Sequence, residues 1–175
     1  MLTTAVFVLF AIVVAQRLSE LVLARRNYAA AIANGAIEHA AGHYPLFFIL
    51  HIGWLLGWLV ESLLRGPALS PVWWLWLVIF LAAEGLRYWC IITLGPRWNT
   101  RILVFPGAPL VATGPYRYIP HPNYLAVALE LLSVPLIFNA WATALVATLF
   151  NAFILLVIRI PAEERALSTP EHTPQ

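Results

Sequence analysis

Apolar runs long enough to cross a bilayer leave few folds open to this chain. Residues 2–23, 44–64, 73–94, 123–138 and 140–158 are almost continuously apolar. A spanning helix needs roughly 20 such residues, so five of them use up most of the 175 positions. Only 10% of the residues are charged, against about 25% in a soluble domain. The expected fold is therefore an all-α integral membrane protein of about five transmembrane helices. Residues 1–167 are expected to form one multi-span membrane domain, with a disordered tail over 168–175. No length is left for a separate soluble catalytic domain, so any site must be built from helix ends and short loops. The first 15 residues lack a basic lead and an A-x-A cleavage pattern, and they read as a retained first span rather than a signal peptide.

Breaker residues divide the runs. Asn34-Gly35 breaks a partly polar helical linker that follows the first span, and residues 65–71 (RGPALSP) reverse the chain after the second. Trp73, Trp74 and Trp76 open the third span with side chains suited to the headgroup layer. Gly95-Pro96 stops that span, Asn139 marks the turn of a C-terminal helical hairpin, and Pro161 is expected to end the last span. All ten basic residues are arginine. Arg65 lies in the second-to-third turn, whereas Arg25, Arg26, Arg97, Arg101, Arg117, Arg159 and Arg165 fall toward the opposite face. The positive-inside rule makes that face cytoplasmic. It puts the N-terminus outside and the C-terminus inside. The loop 97–122 and the segment 159–165 then share the cytoplasmic face.

Those two stretches carry the candidate chemistry. The first contains Gly114-Pro-Tyr-Arg-Tyr and His121-Pro-Asn-Tyr124, where Pro120 and Pro122 keep the backbone around His121 extended. Non-helical backbone at membrane depth is tolerated only against protein or a wet cavity. The second is Arg159-Ile-Pro-Ala-Glu163-Glu164-Arg165, in which the guanidinium suits an anionic partner and the carboxylates suit hydroxyl or ammonium groups. Each stretch alone also reads plainly as an interfacial loop or a charged helix end. Within the spans, Glu84 and Arg87 stand three apart and are expected to pair on one helix face. Glu130 is the expected substrate-tunnel carboxylate, and His51 is expected to face the same cavity. Glu61 is a further carboxylate at a span end. Trp54 and Trp58 stand four apart and read as packing or lipid-facing residues, and the single Cys90 reads as a buried small hydrophobe.

Together the two stretches resemble the isoprenylcysteine carboxyl methyltransferase family. The likeness rests on His121-Pro-Asn-Tyr124 preceded by Gly114-Pro-Tyr-Arg-Tyr, with Arg159-x-x-x-Glu163-Glu164 about 40 residues later. It covers about residues 94–167. The resemblance implies an enzyme with a cytoplasmic cofactor-binding loop for S-adenosyl-L-methionine. Pro109, Leu110, Val111, Tyr116, His121, Pro122, Asn123, Tyr124 and Glu163 would contact that cofactor. Arg159 would meet the substrate, and Arg159 and Glu163 would be the catalytic pair. Glu130, Glu84 and Arg87 are the further substrate candidates. The implied partner is a lipophilic small molecule or a prenylated substrate that enters sideways from the bilayer. No nucleic acid and no metal is expected. The stretches 95–101 and 159–164 look closest to a bacterial branch of the family, some of whose members methylate hydroxyls of alkylpyrone-type lipids. Three departures stand out: Pro120 before His121, Pro161 between Arg159 and Glu163, and Arg101 where eukaryotic members place an uncharged polar contact. A sterol-reductase-like oxidoreductase using a nicotinamide cofactor and a non-catalytic membrane subunit or small transporter are the competing classes.

Overall fold

A computed structural model describes residues 1–168 of the chain. Helix α1 (Leu2–Ala33) is followed by strand β1 (Ile37–His39), helix α2 (Tyr44–Leu64) and helix α3 (Trp73–Leu94). Strand β2 (Ile102–Val104) lies in the long loop, and helices α4 (Pro122–Ile137), α5 (Trp141–Phe153) and α6 (Ile160–Leu167) complete the chain. Four helical stretches are long and apolar enough to cross a membrane, and the 16-residue α4 is a shorter apolar helix among them. The chain is an all-α multi-pass membrane protein.

Burial patterns show why each helix takes its place. On α1 the buried positions Val6, Val13, Arg17, Glu20, Ala24 and Ala31 form one stripe at three-, four- and seven-residue spacing. Phe7, Val8, Ile12, Leu18 and Val22 on its other faces are exposed, as lipid-facing residues must be. Helix α4 is the most enclosed. It packs Leu131, Val134 and Ile137 into a core with Trp54, Trp58 and Ile154. Its internal Pro135 donates no backbone hydrogen bond, which frees the Leu131 carbonyl four residues earlier. Trp54 Nε1 donates to that carbonyl at 3.0 Å. Trp58 stacks on Phe138 at 6.3 Å, so of the two readings, packing or lipid-facing, both tryptophans take the first.

The ends of the helices sort into two faces. At one face Ser70 N donates to the Ile137 carbonyl at 3.0 Å. There Glu61 accepts bonds from Ala142 N (3.1 Å), Thr143 N (2.7 Å) and Thr143 Oγ1 (2.7 Å). Glu61 thus caps the start of α5 from a neighbouring helix, satisfying N–H groups that no residue of α5 itself caps. Asn139, at φ +58°, makes the hairpin turn between α4 and α5. At the opposite face lie the 95–121 loop, the β1–β2 ribbon and α6. The ribbon is antiparallel, with Ile37 opposite Val104 and His39 opposite Ile102. Ala162, Ala166 and Leu167 of α6 pack on Ile102 and Val104.

Two expectations are corrected. Pro161 does not end the helix of the last span, which runs over Trp141–Leu167. Residues 154–159 form a π turn, α6 continues to Leu167, and Pro161 sits in the first turn of α6, where its missing N–H costs little. The linker after Asn34 is not wholly helical either: three of its residues form β1. Of the expected disordered tail, only Ser168 is described, and its N–H bonds to the Glu164 carbonyl at 3.0 Å. The rest lies outside the described residues.

Candidate active site

The long loop is pinned before it reaches the site. Asn27 on α1 donates to the carbonyls of Gly95 (3.3 Å) and Trp98 (2.7 Å), and Asn99 donates back to the Ala24 carbonyl at 2.9 Å. Arg101 forms an ion pair with Glu38 at 2.5 Å and lies over the rings of Tyr44 (4.1 Å) and Tyr28 (5.2 Å). Burial alone would lower its pKa, but the bond and charge of Glu38 outweigh this and raise it. Gly114, at φ +56°, brings the following turn against α3; a Cβ there would collide with Thr93.

Beneath this loop is a cavity of about 580 Å³ that runs from the interfacial segment down between the helices. Most sequence-predicted site residues line it: Pro109, Leu110, Val111, Tyr116, His121, Asn123, Tyr124, Arg159, Glu163 and Arg87. His51 lines it too. Pro122 does not; it is buried in the first turn of α4. Leu110 is at the exposed rim, and the neighbouring Pro109 carbonyl accepts a bond from Arg97 Nη1 at 2.9 Å.

Tyr124 joins the two motifs. Its hydroxyl donates to Glu163 Oε2 and accepts from Arg159 Nε at 2.9 Å. Arg159 is 5% exposed. Its Nη2 donates to the Thr100 carbonyl at 3.0 Å, its Nη1 reaches His43 Nε2 only at 3.4 Å, and its guanidinium lies over Phe47. His121 stacks on Tyr124 at 5.4 Å with 16° between the rings, and its Nδ1 is 3.8 Å from Glu163 Oε2. The Tyr116 phenol is held neutral: burial raises its pKa, and the Cys90 thiol beside it raises it further. Cys90 is buried, as expected, and this contact with Tyr116 was not anticipated. Asn123 Oδ1 is buried with no hydrogen-bond partner among the described residues.

The intramembrane charges are arranged differently from the expected Glu84–Arg87 pair. Arg87 turns instead to Glu20 on α1, with Nη2 to Oε2 at 2.7 Å, and lies 3.5 Å from Glu130. Glu84 accepts from Gln16 at 2.5 Å. Arg17 pairs with Glu20 at 2.9 Å and also with Glu130. A charge buried in a membrane takes its best available counter-ion, and neighbouring helices supplied better ones than the local i, i+3 site. Arg17, Glu20 and Arg87 reach the cavity wall, whereas Glu130 and Glu84 are behind it. Arg17 and Glu20 were missed at the sequence level, although two ionisable residues three apart inside an apolar run are themselves a signal. His43 and Thr100 had no such signal; only the fold brings them to Arg159.

Comparison with known proteins identifies the family. Residues 76–169 match the model of the isoprenylcysteine carboxyl methyltransferase family. The uncharacterized protein YpbQ of Bacillus subtilis is 42% identical over 162 residues, covering 92% of this chain and 95% of that protein. An uncharacterized protein of Haemophilus influenzae is 29% identical over 160 residues, covering 91% and 92%. No solved structure matches the chain. The matched region carries α4, the π turn and α6, and hence Tyr124, Arg159 and Glu163: the chain belongs to the isoprenylcysteine carboxyl methyltransferase family, and it is a membrane methyltransferase.

Proposed function

We propose that the chain is an S-adenosyl-L-methionine-dependent O-methyltransferase. Its acceptor is lipophilic, carries a carboxylate or hydroxyl, and enters the cavity from the bilayer. The observation that carries this reading is the Arg159–Tyr124–Glu163 chain of hydrogen bonds at the polar end of a cavity that continues into the membrane. The cavity volume falls in the range of about 300–1,000 Å³ typical of small-molecule sites. Its wall fits a sulfonium cofactor. Tyr116, held as a neutral phenol, and Tyr124 present aromatic faces that attract a cation. Glu163 offers a carboxylate to hydroxyl or amino groups, and Asn123 Oδ1 is a buried acceptor with no partner among the described residues.

When bound, the cofactor supplies an activated methyl group. The chain's residues do the rest. Arg159 has its Nε and Nη2 occupied by Tyr124 and Thr100, which fixes the guanidinium plane and leaves Nη1 loosely held toward an acceptor oxygen. A carboxylate acceptor is already ionised at neutral pH, so alignment and exclusion of water suffice and no strong general base is needed. On this reading the loop, α6 and the site face the cytoplasm and the N-terminus lies outside. The arginines near that face support this under the positive-inside rule.

Calorimetry with S-adenosylhomocysteine and S-adenosylmethionine on the detergent-purified protein tests the proposal. Absence of binding to either ligand in a folded sample refutes it. Glu163→Ala and His121→Ala are expected to weaken binding, and Arg159→Ala to act mainly on the acceptor. Unchanged cofactor affinity in both of the first two variants refutes the placement of the site.

A further inference from the structure

Before it reaches the apolar Val14 and Leu55 further in, the cavity passes a polar level. Asn151 on α5 and Arg17 on α1 line it, beside His51 on α2. All three lie at a similar depth, as residue counts show at about 1.5 Å of rise per residue. Asn151 precedes Arg159 by eight residues, or about 12 Å. Arg17 precedes Ala24, whose carbonyl binds the loop through Asn99, by seven residues, or about 10 Å. His51 follows Tyr44, which shares a 2.9 Å hydrogen bond with Thr100, by seven residues as well.

Four atoms here have no hydrogen-bond partner among the described residues. Arg17 Nη2 and Arg87 Nη1 are ion-paired with Glu130, which leaves Asn151 Oδ1, an acceptor on a residue 1% exposed, and Arg17 Nε, a donor on a residue 9% exposed. His51 is different, because its Nδ1 is engaged by the Phe47 carbonyl at 2.7 Å. Both positive charges are already matched. Arg17 and Arg87 face Glu20 and Glu130, with Glu84 close by. A second anion would find no unmatched positive charge at this depth. An uncharged group that hydrogen-bonds would satisfy the orphaned acceptor and donor.

We propose that this level of the cavity is a second polar subsite, formed by Asn151 and Arg17, for a hydroxyl or carbonyl group carried about 11 Å down the chain of an acid-headed lipid acceptor. The inference rests on the reading of the cavity as an acceptor site with the acid at Arg159. It goes further by excluding a purely hydrocarbon tail. At about 1.2 Å per extended bond, nine bonds separate the two polar groups. A hydroxyl on the tenth carbon of a fatty acid meets that requirement.

The probes are octadecanoate and 10-hydroxyoctadecanoate, titrated without cofactor into the full-length protein in nanodiscs. The hydroxy acid is expected to bind at least about tenfold more tightly, because a site built to bond a hydroxyl rejects the analogue that lacks it. In Asn151→Leu, and in the smaller Asn151→Ala, the two probes are expected to bind alike. Folding of each variant is checked by its melting curve. Equal affinities in the natural protein overturn the proposal, as would be seen if water satisfied both atoms. Survival of the preference in both variants, or failure of both probes to bind, overturns it too. S-adenosylhomocysteine binding is measured separately. Its absence alongside a retained hydroxyl preference refutes the methyltransfer reading and leaves the subsite standing.

Discussion

Tyr124→Phe isolates the link between the two motifs, because it deletes one oxygen and keeps the ring that stacks on His121. The hydroxyl has two charged partners, Glu163 and Arg159. Arg159 is buried, so its lost bond counts nearly in full, in the range of about 1.5–3 kcal/mol for a bond to a charged group. The Glu163 side chain is 28% exposed, and water replaces much of what it loses. Together these leave a loss of about 2 kcal/mol, roughly thirtyfold in an equilibrium constant. In the natural protein Glu163 is already held in place. In the variant the ligand must impose that order when it binds. S-adenosylhomocysteine affinity measured by calorimetry is therefore expected to fall by about threefold to thirtyfold, depending on how much of the order the ligand restores. Glu163→Gln added to Tyr124→Phe should cost less than the sum of the single changes, since both act on one bond. An affinity within about twofold of the natural protein, in a variant whose unliganded melting temperature is also unchanged, would refute the linkage.

Two further outcomes concern stability. Glu130→Ala strips a counter-ion from Arg17 and Arg87, all three being almost fully buried, and should destabilise the protein by about 3–5 kcal/mol. Thermal unfolding in detergent measures this, and an unchanged midpoint would mean that the cluster is relaxed by water. Glu61→Ala removes the cap of α5 and should cost about 1–2 kcal/mol. Its site is at the far face, so S-adenosylhomocysteine affinity should not change; a weakened affinity would contradict the separation of the two faces.

What the sequence makes legible follows the range of the forces involved. Spans α2 and α3 could be read nearly to the residue, since unbroken apolar runs bounded by Arg65, Pro71 and Gly95-Pro96 leave one solution in a bilayer. The Arg159 and Tyr124 motifs were legible because their residue types and spacing stand out against an apolar background. Contacts between distant elements were not. Nothing local to Glu84 and Arg87 reveals that Glu20, 67 positions before Arg87, takes the guanidinium. The β1–β2 ribbon is three residues per strand, too short for an alternating pattern to emerge. Pro161 was misread because a proline within a helical run is an ambiguous signal: some stop a helix, and others, after a π turn, sit in the first turn of the next.

That π turn also sets the angular phase of the cavity wall. Asn151, Leu155, Arg159 and Glu163 all line the cavity at four-residue steps. In a regular α-helix each such step overshoots a full turn by about 40°, so three would carry Glu163 about 120° around the axis from Asn151. The wider turn over residues 154–159 holds more residues per revolution and winds that drift back. The four residues then form a nearly straight rail down one side of the helix, from the interfacial carboxylate to the amide deep in the membrane. On the proposed reading, an acceptor would meet the amide of Asn151, the guanidinium of Arg159 and the carboxylate of Glu163 along a single line, with the apolar Leu155 between the first two.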